Sequence, residues 1–240
     1  MVGNDTRPAS SRSRREQRRE ETIIEIKQRA RQLLATHGYG GLSLRQVARD
    51  MRMSSPAIYH YFANQSDLIT ALCVDAFTAA AEAVENACMA YAAQSPREQM
   101  STAFSAIRTW ALQNPADFAL TFGTPIPGYE APPEVTGPPS VRLLTAIGAP
   151  YLHAVAEGRA RPRPLGDHSV GDSLFAPHTS FLPDTEASPD AVAAVYNASV
   201  AVLGFVASES WGGLRASSAT FDTLFEAHLA TVLDGLGFTS

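Results

Sequence analysis

Residues 43–62 constrain the fold more than any other stretch of this chain, because two short helices are written there together with their punctuation. Ser43 caps the first, Gln46 three residues on completes a capping box, and Ser55 followed by Pro56 supplies an N-cap and a first-turn proline for the second. Helices are expected over residues 44–52 and 56–62, with a tight turn between them, and Asn64 to Leu68 opens a third. Two short helices around a tight turn form a helix-turn-helix, whose second helix enters the major groove of duplex DNA. DNA is therefore the first partner to consider.

Charge divides the chain in the same place. Residues 1–70 carry 12 Lys and Arg against 7 Asp and Glu, whereas the remainder carries 7 against 17. A small basic head on a larger acidic body fits that division, and the basic part is where a polyanion binds. The expected organisation is a disordered basic arm over residues 1–14, a head over 15–63 and a body over 64–240. Arg12, Arg14, Arg15, Arg18 and Arg19 leave two readings open: a solvated tail, or an arm lying along phosphates or in a minor groove.

Cys73 and Cys88 fall on one expected helix, 15 residues and about 22 Å apart, so they cannot bridge within the chain. They read as small buried side chains, with redox sensing across a dimer as the alternative. Unpaired cysteines, no signal-like opening and no Cys/His metal spacing point to a reducing cytoplasm, with neither metal nor cofactor expected. The apolar run from Ala191 to Ala207 is 17 residues, short of the ~20 a membrane span needs, so a buried helix is expected and no membrane partner.

Helical periodicity continues to the end of the chain. Helices are expected over residues 15–37, with Gly38 as the stop, then 64–91, 96–113, 116–122, 140–157, 189–210 and 219–236. Residues 123–139 are rich in Pro and Gly and are expected to be irregular, and 158–188 show no sustained period. Both segments are candidates for an entrance or lid over the body. Asp167, His168, Asp172 and His178 in the second read as a polar loop rather than a metal site. The last two helices are apolar on most sides, which requires burial against the chain's own core and against something else, read as a second copy.

Gly38, Tyr39, Ser43, Val47, Ala48, Ser54, Ile58, Tyr59, Tyr61, Phe62 and Leu68 together resemble the N-terminal signature of the TetR family of one-component transcriptional regulators, over roughly residues 15–75. In the body, residues 123–129 (Gly-Thr-Pro-Ile-Pro-Gly-Tyr) and 209–213 (Glu-Ser-Trp-Gly-Gly) resemble an actinobacterial-type subgroup. The resemblance implies an all-α, nine-helix fold, a homodimer built mainly by the last two helices, and a ligand pocket within the body. The implied function is a repressor released from a palindromic operator by a small, largely apolar molecule.

Carried over by position, the family's base-reading and phosphate-contacting residues fall on Ser43 and Arg45 in the second helix, on Ser55, Pro56, Ala57, Tyr59, His60 and Tyr61 in the third, and on Gln65. Arg45 is the candidate for a guanine edge, since its fork can meet O6 and N7 together. Ile58 and Phe62 are core. The implied pocket candidates are Phe77, Trp110, Phe118, Phe122, Tyr151 and Phe205, with His153 or Asn197 as polar handles, although each aromatic taken singly reads first as ordinary core. The expected dimer face is Val195, Val202, Phe221, Leu224, Phe225, Leu229 and Val232, with an intrachain helix pair as the alternative. Two heads on a two-fold axis call for half-sites about 34–36 Å apart or somewhat more.

Three departures from the family pattern stand out. Arg52 occupies the usual turn glycine, where a left-handed backbone costs about 1 kcal/mol. Gln65 replaces a phosphate-facing lysine, keeping a hydrogen bond but losing a charge, and Met53 replaces a valine. These motivate a rival reading, a helical ligand-binding or protein-interaction module with weakened DNA binding. An enzyme is disfavoured, for the sequence has no nucleophile elbow, no phosphate loop and no metal-spaced histidines.

Overall fold

A computed structural model describes residues 13–123, 125–164, 188–212 and 218–239. Among them lie nine α-helices, one 3-10 turn at Tyr39–Gly41 and a single isolated bridge between Ala160 and Phe238. The helices are α1 (Arg14–His37), α2 (Leu44–Asp50), α3 (Ser55–Ile58), α4 (Gln65–Ala90), α5 (Pro96–Gln113), α6 (Pro115–Phe122), α7 (Pro133–Ala156), α8 (Pro189–Ser210) and α9 (Ser218–Gly235). The chain forms two compact units, Met1–Leu68 and Ile69–Ser240, dividing one turn into α4.

In the first unit α1 turns Ile26, Ala30, Leu33 and Leu34 inward, and Leu44 and Val47 of α2 and Ile58 of α3 are buried as well. Helix α1 begins at Arg14 because Ser13 and Glu16 form a complete capping box, the Ser13 hydroxyl accepting from Glu16 N and the Glu16 carboxylate from Ser13 N. Arg14 therefore belongs to a helix rather than to an arm. Residues 1–12 lie outside those described.

In the second unit α5 and α7 bury Phe104, Ile107, Ile147 and Tyr151 against Val195 and Val202 of α8 and Phe225 and Leu229 of α9. Burying each such side chain fully contributes about 1.5–3 kcal/mol, which is what holds the helices together. Gly148 permits the close crossing of α7 and α8, for a Cβ there would stand 2.7 Å from Val195 Cγ1. Arg108 of α5 clamps the layer from the side. Its guanidinium donates to Glu209 at 2.6 and 2.8 Å and to Asp222 at 2.7 Å, and lies 4.6 Å from the Phe225 ring centroid.

Two expectations are corrected here. Helix α7 starts at Pro133, not at Ser140, and runs through Pro138 and Pro139. The rings remove two backbone donors, yet Thr136, Val141 and Leu143 are buried, and that burial overrides the local penalty. Helix α8 is 22 residues with a mean hydropathy of 1.8 in its most apolar window, long and apolar enough by those two criteria to cross a membrane. Its inner stripe of Ala191, Val195, Ala198, Val202 and Val206 is nevertheless packed in the core of the second unit.

Candidate nucleic-acid interface

Ser43 caps α2 by accepting from Gln46 N at 3.1 Å, as its position requires. The expected capping box is absent. Gln46 donates instead to Asp50 Oδ1 at 2.8 Å and accepts from Arg49, while Arg29 of α1 holds Asp50 Oδ2 at 2.6 and 2.9 Å. The Gln46 amide thus locks the far end of α2 rather than its start.

The turn closes through a Schellman arrangement, Met53 N donating to Ala48 O at 2.8 Å and Arg52 N to Arg49 O at 3.1 Å. That geometry puts Arg52 at φ 56°, the left-handed conformation of the usual glycine, and it is the sole non-glycine residue with positive φ among those described. Helix α3 then starts one residue earlier than expected, with Ser54 as N-cap and no side-chain cap. Its helical stretch ends at Ile58, and Tyr61 N and Phe62 N both return to Ile58 O at 3.0 and 3.1 Å. Residues 59–61 are a turn, so the reading segment is shorter and tighter than the expected 56–62 helix.

Exposure sorts the expected contact residues. Ser55, Pro56, His60 and Arg45 are exposed, and Tyr59 is 45% exposed. Ala57, Tyr61, Ser43 and Gln65 are half-buried, the last as the first residue of α4, where Asn64 caps by accepting from Asp67 N at 2.9 Å. Ile58 and Phe62 are buried beneath them. Sequence reasoning missed a feature beside this surface. A groove of about 910 Å³ is lined by Arg14, Arg15, Arg18 and Arg19 of α1 together with His60 and Tyr61, and the Arg19 guanidinium stands 5.9 Å from the Tyr61 ring centroid.

The chain matches the profile described as "Bacterial regulatory proteins, tetR family" over residues 26–72 and that described as "Tetracyclin repressor-like, C-terminal domain" over residues 100–232. The chain belongs to the TetR family. Its head is the DNA-binding domain of that family, and its relatives are transcription factors rather than enzymes. It is 37% identical over 161 residues to the HTH-type transcriptional regulator Rv1816 of Mycobacterium tuberculosis, a match spanning 67% of this chain and 65% of the relative's length. The crystal structure of the regulatory protein SCO4313 superimposes with a TM-score of 0.73 at 30% identity, covering 92% of this chain and all of the other. The fold is shared, at a TM-score of 0.55 and 16% identity over 93% of this chain and 91% of the other, with RolR in complex with resorcinol.

In this TetR-family body the expected pocket residues fall into separate groups, and three of these residues come together. Phe77, Phe118 and Phe122 form one aromatic cluster, with ring centroids 5.4–5.8 Å apart, and Trp211 packs on Phe118 at 5.8 Å. Tyr151 is elsewhere, donating to Leu236 O at 2.9 Å with its ring edge on Phe238, and burial pushes its hydroxyl up to about 12. Phe205 stacks on His228 at 5.1 Å, and Trp110 is buried in the core. His153 and Asn197 are exposed on α7 and α8, and Asn197 lines an open groove of about 330 Å³ with Ala194, Ala198 and Ala201 of α8 and Val232 of α9. Near the aromatic cluster Tyr129 and Thr70 share a hydrogen bond of 3.0 Å, and the Cys73 thiol faces Leu120 O. Burial pushes the thiols of Cys73 and Cys88 above their ordinary value, which favours the protonated form of each.

The residues of the expected dimer face sort by burial within the chain. Val195, Val202, Phe221, Phe225 and Leu229 are buried within the chain and Val232 is half-buried, so these side chains serve its own core. Leu224 alone of the seven is exposed, at 43%. The two helices carry a second, outward stripe of Tyr196, Val200 and Gly204 on α8 and Leu224, Ala227 and Thr231 on α9, all uncharged. Among the described residues no group of three or more His, Cys, Asp or Glu is placed to hold a metal. Asp167, His168, Asp172 and His178, and most of the segment expected as a lid, lie outside the described residues.

Proposed function

We propose that this chain is a cytoplasmic transcriptional repressor that grips a near-palindromic operator as a homodimer and is released by a small, largely apolar ligand. One observation carries the reading: Arg45, Tyr59 and His60 are exposed around a turn that closes in helix-turn-helix geometry even with arginine at its left-handed position. Arg45 addresses a guanine edge, while Tyr59 and His60 bring polar tips to phosphates or thymine methyls.

Homodimerisation draws support from the outward uncharged stripe on α8 and α9, which four helices from two copies would cover as a bundle. Ligand release draws support from RolR, whose structure is named for its complex with resorcinol, and from the Phe77, Phe118 and Phe122 cluster on α4 and α6. A ligand there favours release only by binding the released arrangement of the dimer more tightly than the operator-bound one. The rival reading, a module with weakened DNA binding, keeps one supporting residue, the uncharged Gln65.

The test is selection of duplexes from a random library by the full-length protein, followed by mobility-shift binding and sedimentation. Enrichment of a near-palindrome, loss of binding by the Arg45→Ala, Tyr59→Ala double variant, and a dimeric mass are expected. No enrichment over random competitor at low ionic strength, or a stable monomer, sinks the reading.

A further inference from the structure

We propose that Arg14, Arg15, Arg18 and Arg19 form a phosphate clamp on α1 that extends the DNA-reading surface of the head and supplies the backbone charge that Gln65 lacks. It rests on the reading of the head as a duplex-binding unit and adds a site that the helix-turn-helix does not contain.

Helical geometry makes the clamp. At about 100° per residue, positions 14, 15, 18 and 19 fall within an arc of about 140°, whereas Glu16 and Glu20 fall on the other side of the helix. All four arginines are exposed. They form one wall of the 910 Å³ groove whose other wall is His60 and Tyr61, the residues that follow α3, and Arg19 lies over the Tyr61 ring. The groove is thus continuous with the segment that reads bases. The start of α1 has its own cap in Ser13 and Glu16, and the four guanidiniums supply the charge that attracts the ligand. Guanidinium forks bind phosphate oxygens two at a time, and a row of them with no apolar anchor between suits a phosphodiester backbone rather than base edges. The occupant is one strand of duplex DNA, held in a manner indifferent to sequence.

The test compares full-length wild type with a variant carrying Arg→Gln at all four positions, a second carrying Arg→Lys at all four, and Arg45→Ala. Binding to the selected duplex and to a random duplex of the same length is measured between about 50 and 200 mM salt. The Gln variant, with unchanged helical content by circular dichroism, is expected to lose about tenfold or more in affinity for both duplexes alike. Its slope of log affinity against log salt should fall by about two or more, since each phosphate contact carries about 0.9. The Lys variant should keep the slope, and Arg45→Ala should erode the preference for the selected duplex while keeping most of the slope. A Gln variant with wild-type slope and affinity overturns the clamp and leaves the head's reading intact. A Gln variant that loses preference rather than slope overturns it too. If wild type prefers no duplex, the reading of the head fails and the clamp with it.

Discussion

Arg29 on α1 grips Asp50, the last residue of α2, through both Nε and Nη2, at 2.9 and 2.6 Å from the same carboxylate oxygen. The other oxygen accepts from Gln46, so a single carboxylate fixes the end of α2 against α1 just before the chain turns toward α3. Asp50 is the better buried partner, with its side chain 15% exposed against 39% for Arg29. Replacing Asp50 by alanine should cost about 1–2 kcal/mol, because it strands donors from two side chains. Urea unfolding with amide exchange of residues 14–68 checks this, and an effect confined to the second unit would contradict it.

Arg52→Gly should stabilise the protein by about 1 kcal/mol, since glycine meets φ 56° without the Cβ penalty. Arg52→Ala retains the penalty and should change little. A rise in melting temperature for glycine alone is the expected outcome. Equal effects of the two variants would mean that the turn is not under backbone strain.

Gly148→Ala should destabilise by about 1–3 kcal/mol, because the new methyl would meet Val195 Cγ1 at 2.7 Å. Pairing it with Val195→Ala should recover part of that loss, giving a favourable coupling in a double-mutant cycle. Additive losses would place the effect elsewhere.

Glu98 opens α5 in a capping box with Ser95, whose hydroxyl and backbone hydrogen bonds hold its carboxyl below the ordinary 4.5. The ionised form is thus favoured by folding. Its contribution is complete above the unfolded value and is lost as pH falls through the lower folded one. Acid destabilisation below about pH 4.5 should therefore be shallower in Glu98→Gln than in wild type, as followed by thermal melts across pH. Parallel curves would refute the link.

Arg45→Ala should weaken binding to the selected duplex by about 1–3 kcal/mol and relax specificity at one base pair per half-site. Competition with single-base variants of that duplex measures it. A uniform loss across all variants would recast Arg45 as a phosphate contact.

What was legible in the sequence was local. Ser43, Gly38 and Pro96 mark helix ends by short-range chemistry, and those ends stand within a residue of expectation. Pro138 and Pro139 misled because a breaker's penalty is local whereas the burial that outweighs it, at Thr136 and Val141, comes from elsewhere in the fold. The stripe on α8 and α9 was ambiguous for a different reason. Where a helix is apolar on most sides, periodicity cannot tell Val202, which faces the chain's own core, from Val200, which faces out. The aromatic residues were ambiguous similarly, since spacing on separate helices does not reveal that Phe77 meets Phe122 while Tyr151 meets Phe238. The arginine groove was half legible: Arg15, Arg18 and Arg19 fall on an expected helix, whereas the Ser13 and Glu16 box that adds Arg14, and the facing His60 and Tyr61, were not foreseen.

That box has a practical consequence. Because Ser13 and Glu16 cap each other, the first turn of α1 carries its own punctuation within four residues. A protease trimming the chain back to Ser13, or an affinity tag fused upstream, would leave both partners of that cap in the chain.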